Sequence, residues 1–176
     1  MTSFELRVAD PADAPRIALW MQRPHIVRWW QQDWCVERWA QEIERQVAGE
    51  HSTPYVVAVD GEEFAYVEVY RVRHDRLAKY YVYGEDDRGV HVAIGDVSRV
   101  GRGLGKQLLR SLAEQVFLAE PACAQVVAEP DIDNVPSVRA FTAAGFVQHG
   151  ELRLPEKTAL LMVRTRAAQG GMTCTT

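Results

Sequence analysis

The sequence contains few cysteines, and they form no recognisable pattern. Its 176 residues include 3 cysteines, Cys35, Cys123 and Cys174, which is an odd number at irregular spacing. This spacing fits neither a disulfide framework nor a set of zinc ligands, and cytosolic thiols normally stay reduced. We therefore expect no structural metal site.

Long apolar runs and a net positive charge are also lacking. No stretch approaches the ~20 apolar residues that a membrane-spanning helix needs, and the start, Met1-Thr2-Ser3-Phe4-Glu5, is neither basic nor apolar. We expect a cytoplasmic protein with no membrane partner. The formal net charge of −4 argues against nucleic acid as a partner, because phosphate binding needs a basic face. A cationic, amine-bearing ligand suits an acidic chain better.

The composition and the length indicate one globular domain. A hydrophobic share of 47% and a charged share of 25% are typical of soluble globular proteins. A chain of this length rarely divides into two cores. We expect a domain over residues 4–166, acting as a monomer or weak homodimer, and a flexible tail over 167–176, where small polar residues dominate.

The periodicity of apolar residues predicts an α/β fold with a mixed, mostly antiparallel sheet and about four flanking helices. The predicted strands cover residues 4–8, 55–59, 64–70, 90–94, 125–129, 146–149 and 159–163. The predicted helices run from Asp10-Pro11 through Trp20, over 36–47, across 108–117 and over 134–144. The Asp60-Gly61 pair predicts a tight hairpin turn.

A glycine-rich segment, Val100-Gly101-Arg102-Gly103-Leu104-Gly105-Lys106, links a central strand to the third predicted helix. Glycines let the backbone approach a ligand closely, and N–H groups at a helix N-terminus attract an anion such as a diphosphate. A solvated glycine-rich turn explains this segment equally well on its own. No Gly-Lys-Ser/Thr follows, which excludes a Walker loop, and a mid-chain position fits a dinucleotide motif poorly.

The loop, its preceding strand, Asp131–Asn134 and Ala144-Gly145-Phe146 resemble the coenzyme A binding core of the GCN5-related N-acetyltransferases (GNAT). The resemblance implies the GNAT fold, with acetyl-CoA or another acyl-CoA as co-substrate. The cofactor-binding residues that it implies are Ala93, Ile94, Val100, Gly101, Arg102, Gly103, Leu104, Gly105, Lys106 and Asn134. Val100 stands where the family motif has Arg or Gln, so backbone amides are expected to hold the phosphates, with Arg102 and Lys106 in support.

Further segments, including Met21–His25, Tyr66–Tyr70 and Glu129–Asp131, resemble the lysine N-acyltransferases of mycobactin-type siderophore assembly. They are similar also to hydroxylysine and hydroxyornithine acetylases. This implies acyl transfer to the amine or hydroxylamine of a lysine- or ornithine-type small molecule. His25–Trp30 is more distantly similar to aminoglycoside 6'-N-acetyltransferases, which are the first alternative. A catalytically silent coenzyme A binding module is the second.

His91 is the predicted catalytic base. An amine must be neutral to attack a thioester, and an ordinary histidine, with a pKa of about 6.5, can accept its proton. On its own, a histidine inside a strand is also explained as a packed core residue; the resemblance assigns His91 to the active site. Asp131 matches the aspartate of the family's site and is expected to orient His91 or the amine. Asp131 or Asp133 can alternatively cap the helix that begins near Asn134; with Asp131 in the site, the cap is expected to be Asp133 or Asn134.

The predicted wall of the acceptor pocket consists of His25, Trp30, Asp33, Trp34 and Tyr70. A tryptophan cluster on amphipathic helices is equally explained as core.

Phe141 stands where many acetyltransferases carry the tyrosine that protonates the leaving thiolate. A backbone N–H near Ala93 or Ile94 is expected to stabilise the oxyanion. No cysteine lies beside a base within these motifs, so we expect direct transfer in a ternary complex.

Overall fold

The computed structural model describes residues 2–167, so all but the first residue of the predicted tail lies outside the described part of the chain. The strands are β1 (Phe4–Val8), β2 (Ser52–Val59), β3 (Glu62–Arg71), β4 (Arg88–Ile94), β5 (Gln125–Ala128), β6 (Val147–Arg153) and β7 (Thr158–Thr165). The α-helices are α1 (Ala14–Met21), α2 (Pro24–Trp30), α3 (Val36–Ala48), α4 (Leu104–Ala119) and α5 (Val135–Ala143). Short 3-10 turns cover Pro11–Asp13, Val72–His74, Arg76–Lys79 and Val97–Arg99.

The strands form one 7-stranded sheet in the order β1-β2-β3-β4-β5-β7-β6. Neighbouring strands are antiparallel except β4 and β5, which are parallel. The predicted mixed, mostly antiparallel sheet is therefore confirmed. Within residues 2–167, no helix has the length and apolar character needed to cross a membrane.

Helices cover both faces of the sheet. Leu108 and Leu112 of α4 pack with Val57 and Val67 of the sheet in one buried cluster. Trp39 and Ile43 of α3 belong to a second cluster that also contains α1 and the neighbouring sheet residues Val56 and Tyr66. Val56 and Val57 are adjacent in β2, so their opposite assignments follow from the alternation of side chains along a strand.

One helix was missed by the sequence analysis. The described residues contain five α-helices rather than about four, because α2 separates α1 from α3. Pro24 occupies the first turn of α2, and the helix ends at Trp30, followed by the C-cap Gln31 with a left-handed φ of 55°. A helix of 7 residues offers only about two turns of periodicity, which is too short for a distinct pattern.

The strands β4 and β5 pair only where they begin. Arg88 lies opposite Val126 and Gly89 opposite Val127, whereas β4 continues to Ile94. Past Gly89, β4 therefore has no strand partner on this side among the described residues. The sheet opens here, and ligands of such sheets tend to bind beyond the carboxyl ends of the strands.

Candidate active site

Two cavities meet at the opening between β4 and β5. The larger, of about 580 Å3, lies beside the loop before α4, and we call it the loop cavity. The smaller, of about 220 Å3, contains Glu68, His91, Glu129 and Asp131, and we call it the acid cavity. Both cavities are lined by Trp29, Trp30, Val92, Asn134, Ser137 and Phe141. Groups held in the two cavities can therefore meet along this shared wall.

The loop before α4 has the backbone of an anion-binding site. Gly101 and Gly103 adopt φ values of 76° and 79°, in the left-handed region that favours glycine. Gly103 is the N-cap of α4, and no side chain of the described residues caps this end. The first N–H groups of the helix are thus available to an anion, which the helix dipole also attracts. The residues present fit a diphosphate.

Most of the predicted cofactor residues line the loop cavity, namely Ala93, Ile94, Val100, Gly101, Gly103, Gly105, Lys106 and Asn134. Two do not. The side chain of Arg102 is exposed outside the cavity, and Leu104 packs against the core because α4 begins there with that side facing the sheet. Arg139 of α5, which the sequence analysis missed, lines the cavity and joins Lys106 as a source of positive charge.

His25 does not form the wall predicted for it. Its Nε2 lies 2.8 Å from the carbonyl oxygen of Ile94, and since a carbonyl only accepts, Nε2 donates. His25 lines the loop cavity and not the acid cavity. Helix α2 brings His25 against the end of β4 rather than toward the predicted acceptor site.

His91 lies between two carboxylates in the acid cavity. Its Nδ1 is 3.0 Å from Glu68 Oε2, and its Nε2 is 2.9 Å from Glu129 Oε1. A neutral imidazole donates from only one nitrogen, whereas an ionised carboxylate only accepts. Burial lowers the pKa of His91, but Glu129 and Glu68 outweigh it and raise the pKa to about 10. The ring is therefore an imidazolium at neutral pH.

The predicted role of His91 as a neutral base is corrected by this geometry. A ring that donates from both nitrogens has no lone pair for a proton from the substrate. Burial raises the pKa of Glu129, but the charge and hydrogen bond of His91 prevail and lower it to about 2. The side chain of His91 is 35% exposed, so the cation faces the acid cavity while it holds the two glutamates.

Both glutamates also accept hydrogen bonds from other side chains of the protein. Glu68 Oε1 accepts from Gln46 Nε2 over 2.8 Å and from the Tyr66 hydroxyl over 3.0 Å. Glu129 Oε2 accepts from the Tyr70 hydroxyl over 2.9 Å. These contacts hold both carboxylates in position by hydrogen bonds from within the protein.

Tyr70 was predicted to form part of the acceptor wall, but it supports Glu129 instead. The residue is 2% exposed, and its ring lies against β4 at Gly89. A Cβ on Gly89 would come within 1.9 Å of the ring. Glycine at this position lets the tyrosine reach Glu129.

Asp131 lines the acid cavity but does not orient His91, because both ring nitrogens contact glutamates. Its Oδ1 accepts from the backbone N–H of Asp133 over 2.9 Å. Asn134 caps α5 through a bond of 3.3 Å from the Ser137 N–H, as one of the sequence alternatives had it. Asp131 Oδ2 has no hydrogen-bond partner among residues 2–167.

Of the predicted aromatic wall, only Trp30 reaches the acid cavity, where its ring centroid lies 5.7 Å from that of His91. Trp34 packs 5.0 Å from Trp39 in the core and carries the Arg38 guanidinium on its face. Asp33 does not line the cavity either. Trp34 is half-buried and packs against the core cluster around Trp39, so the core explanation holds for it.

Glu68 and Glu129 are site residues that were not predicted from the sequence. Glu68 lies directly opposite His91 in the β3–β4 register. A charged residue between Val67 and Val69 in an otherwise apolar strand was the available signal. Glu129 follows β5 directly, two residues before Asp131, and its contact with His91 depends on the parallel pairing of β4 and β5.

The chain matches the family model described as the acetyltransferase (GNAT) domain over residues 10–154. It is 39% identical over 142 residues to the lysine N-acyltransferase MbtK of Mycolicibacterium paratuberculosis, which covers 81% of this chain and 64% of that protein. The chain thus spans less than two thirds of that relative's length.

Two further proteins match over more of their length. The chain is 36% identical over 163 residues to the N-hydroxyputrescine acetyltransferase of Acinetobacter baumannii, covering 91% of this chain and 76% of that protein. The crystal structure of the aminoglycoside acetyltransferase AAC(6')-Ib in complex with coenzyme A is similar at a TM-score of 0.81 and 30% identity, covering 93% of this chain and 95% of that one. The resemblance seen in the sequence is confirmed: this chain belongs to the GNAT acetyltransferase family.

Proposed function

We propose that this protein transfers an acyl group, expected to be acetyl, from acyl-CoA to a side-chain nitrogen of a lysine- or ornithine-type small molecule. The nitrogen belongs to an amine or a hydroxylamine, as in siderophore biosynthesis. The observation that carries the proposal is the meeting of the loop cavity and the acid cavity at the opening of the sheet. The first suits a diphosphate, and the second suits a basic nitrogen.

The loop cavity supplies the groups that would hold coenzyme A. Backbone N–H groups of Gly101, Gly103 and the first turn of α4 would bind the diphosphate, and Lys106 and Arg139 would add positive charge. Acyl-CoA bound there provides the acyl group as a thioester. The strand β4 near Ala93 lacks a strand partner on this side within the described residues, so its backbone offers donors to the developing oxyanion.

The acid cavity supplies the groups for the acceptor nitrogen. The carboxylates of Glu129 and Asp131 would attract an ammonium group and hold it by charge-assisted hydrogen bonds. Asp131 is the proposed proton acceptor, because its Oδ2 is unengaged among residues 2–167, whereas both oxygens of Glu129 already accept. His91 is the fixed cation that keeps Glu68 and Glu129 in place.

An aminoglycoside acetyltransferase is the second candidate. The acid cavity is also suited to a polycation, and the similarity to AAC(6')-Ib covers 93% of this chain. Release of free thiol from acetyl-CoA, measured with lysine, N-hydroxylysine, ornithine and kanamycin, separates the candidates. We expect the highest kcat/KM with a lysine- or ornithine-type acceptor. A strong preference for kanamycin would replace our proposal, and coenzyme A binding without thiol release on any amine would favour a silent module.

A further inference from the structure

The acid cavity contains charged groups beyond the cluster around His91. Its carboxylates are Glu68, Glu129, Asp131 and Glu156, and its cationic side chains are His91, Arg76 and Lys157. His91 is engaged by two of the carboxylates. Arg76 is engaged as well, because its guanidinium forms two bonds to Glu156, one of them 2.6 Å long from Nη1 to Oε2.

Lys157 differs from these two cations. Its backbone carbonyl accepts from the Leu154 N–H over 2.9 Å and closes the turn between β6 and β7. Its ammonium group forms no ion pair and no hydrogen bond with any side chain of residues 2–167. This turn is held to the active-site edge by the bridge between Asp131 and Ala159. Lys157 therefore presents an unpaired ammonium group to the same cavity as the proposed acceptor nitrogen.

Lys157 and the buried carboxylate of Glu129 line the same cavity. The positive charge of Lys157 is one of the causes that lower the pKa of Glu129, although the two groups do not form a hydrogen bond. The cavity of about 220 Å3 therefore has an acidic part around Glu129 and Asp131 and an unpaired cation, Lys157, elsewhere in its lining. A ligand with a basic nitrogen at one end and an anionic group at the other matches this arrangement.

We propose that Lys157 binds the carboxylate of an amino-acid acceptor and thereby selects such acceptors over diamines and aminoglycosides. The inference rests on the proposed function and assigns a specificity-determining residue to it. A carboxylate can pair with an ammonium by a charge-assisted hydrogen bond in this confined site. A diamine or an aminoglycoside brings only positive charge and places it against Lys157.

The test measures the wild-type protein and a Lys157 variant, each with acceptors that have a carboxylate and with acceptors that lack it. L-Lysine and cadaverine have the same reacting end and differ by the carboxylate, and their N-hydroxy derivatives form a second pair. Each is assayed by thiol release with the wild-type protein and with Lys157→Met, which keeps the apolar stem and removes the charge. Lys79→Met is the matched control, because Lys79 is exposed and lines neither cavity.

We expect the wild-type protein to favour the carboxylate-bearing member of each pair. Lys157→Met should raise KM for that member by about 10-fold or more, the scale of a lost hydrogen bond to a charged group, with kcat little changed. The same variant should leave KM for the diamine unchanged or lower it. Lys79→Met should change KM for neither acceptor.

Two results would overturn the inference and leave the proposed function standing. An equal rise in KM for both acceptors in Lys157→Met would mean that Lys157 only balances the charge of the carboxylates. An unchanged KM for both would mean that Lys157 contacts no acceptor. If the wild-type protein acylates none of the four compounds and neither ornithine nor N-hydroxyornithine, the proposed function itself fails, and the role of Lys157 fails with it.

Discussion

His91 donates from Nε2 to Glu129 Oε1 over 2.9 Å, and this contact decides the charge of the candidate site. Because Glu68 takes the other ring nitrogen, we expect 15N NMR to show both nitrogens protonated at pH 7.5. The titration midpoint should lie far above the ordinary value of 6.5. Glu129→Gln should lower it, since an amide exerts no full negative charge. A midpoint near 6.5 in the wild-type protein would restore the role of a neutral base.

The same cluster predicts how stability depends on pH. The pKa of His91 is raised from 6.5 to about 10 in the folded protein. Its contribution to the free energy of unfolding is therefore complete below pH 6.5 and is lost as the pH rises toward 10. Glu129 acts in the opposite direction, because its pKa is lowered from 4.5 to about 2 and its contribution is lost as the pH falls through that range.

Urea unfolding between pH 6.5 and 10 measures the His91 effect. The wild-type protein should lose stability across this range, and Glu68→Gln/Glu129→Gln should show a smaller slope, because His91 then has no anionic partners. Lysines and exposed tyrosines titrate in both proteins, so the difference between the two slopes isolates the cluster. Equal slopes would contradict the charge assigned to His91.

The sequence predicted the helices and turns of the fold better than the contacts within the site. Local signals sufficed for α3, whose buried Trp39 and Ile43 lie four residues apart, and for the Asp60-Gly61 turn, whose φ values are 54° and 77°. The partners of His91 lie 23 and 38 residues away along the chain, one in β3 and the other directly after β5. Their meeting depends on strand register and on which strands are neighbours, which no local pattern specifies.

Family resemblance also had limits at the level of single side chains. It identified His91 and Asp131, which do lie in one cavity, but not the direction of each contact. Tyr70 and Trp34 were misplaced because a buried aromatic residue near a site has the same sequence signature whether it lines the cavity or supports its wall. Only the packing of Tyr70 against Gly89 and Glu129 distinguishes these roles.

Asp131 should be essential for turnover if it accepts the proton of the acceptor nitrogen. Asp131→Asn keeps the bond to the Asp133 N–H but removes the carboxylate. We expect kcat to fall by about 10²-fold or more, with KM for acetyl-CoA unchanged. Asp133→Asn is the matched control, because Asp133 is exposed and its side chain lies outside both cavities. Full activity of Asp131→Asn would mean that solvent takes the proton.

Gly103 should affect the binding of acetyl-CoA and not the binding of the acceptor. It has a φ of 79° at the N-terminus of α4, so Gly103→Val adds backbone strain and places a side chain where a diphosphate would lie. Gly61 in the β2–β3 turn has a φ of 77° and nothing within 4 Å of an added Cβ, which makes Gly61→Val a control with the same strain away from both cavities.

Thermal unfolding and steady-state kinetics separate the two effects in these variants. Both substitutions should lower the melting temperature to a similar extent, because both force a side chain into the left-handed region. Only Gly103→Val should raise KM for acetyl-CoA, by about 10-fold or more if one backbone contact to a charged phosphate is lost. KM for the acceptor should stay constant, because the acid cavity does not include the loop. If the two variants had the same KM for acetyl-CoA, the diphosphate would have to bind elsewhere, and the loop would be only a turn before α4.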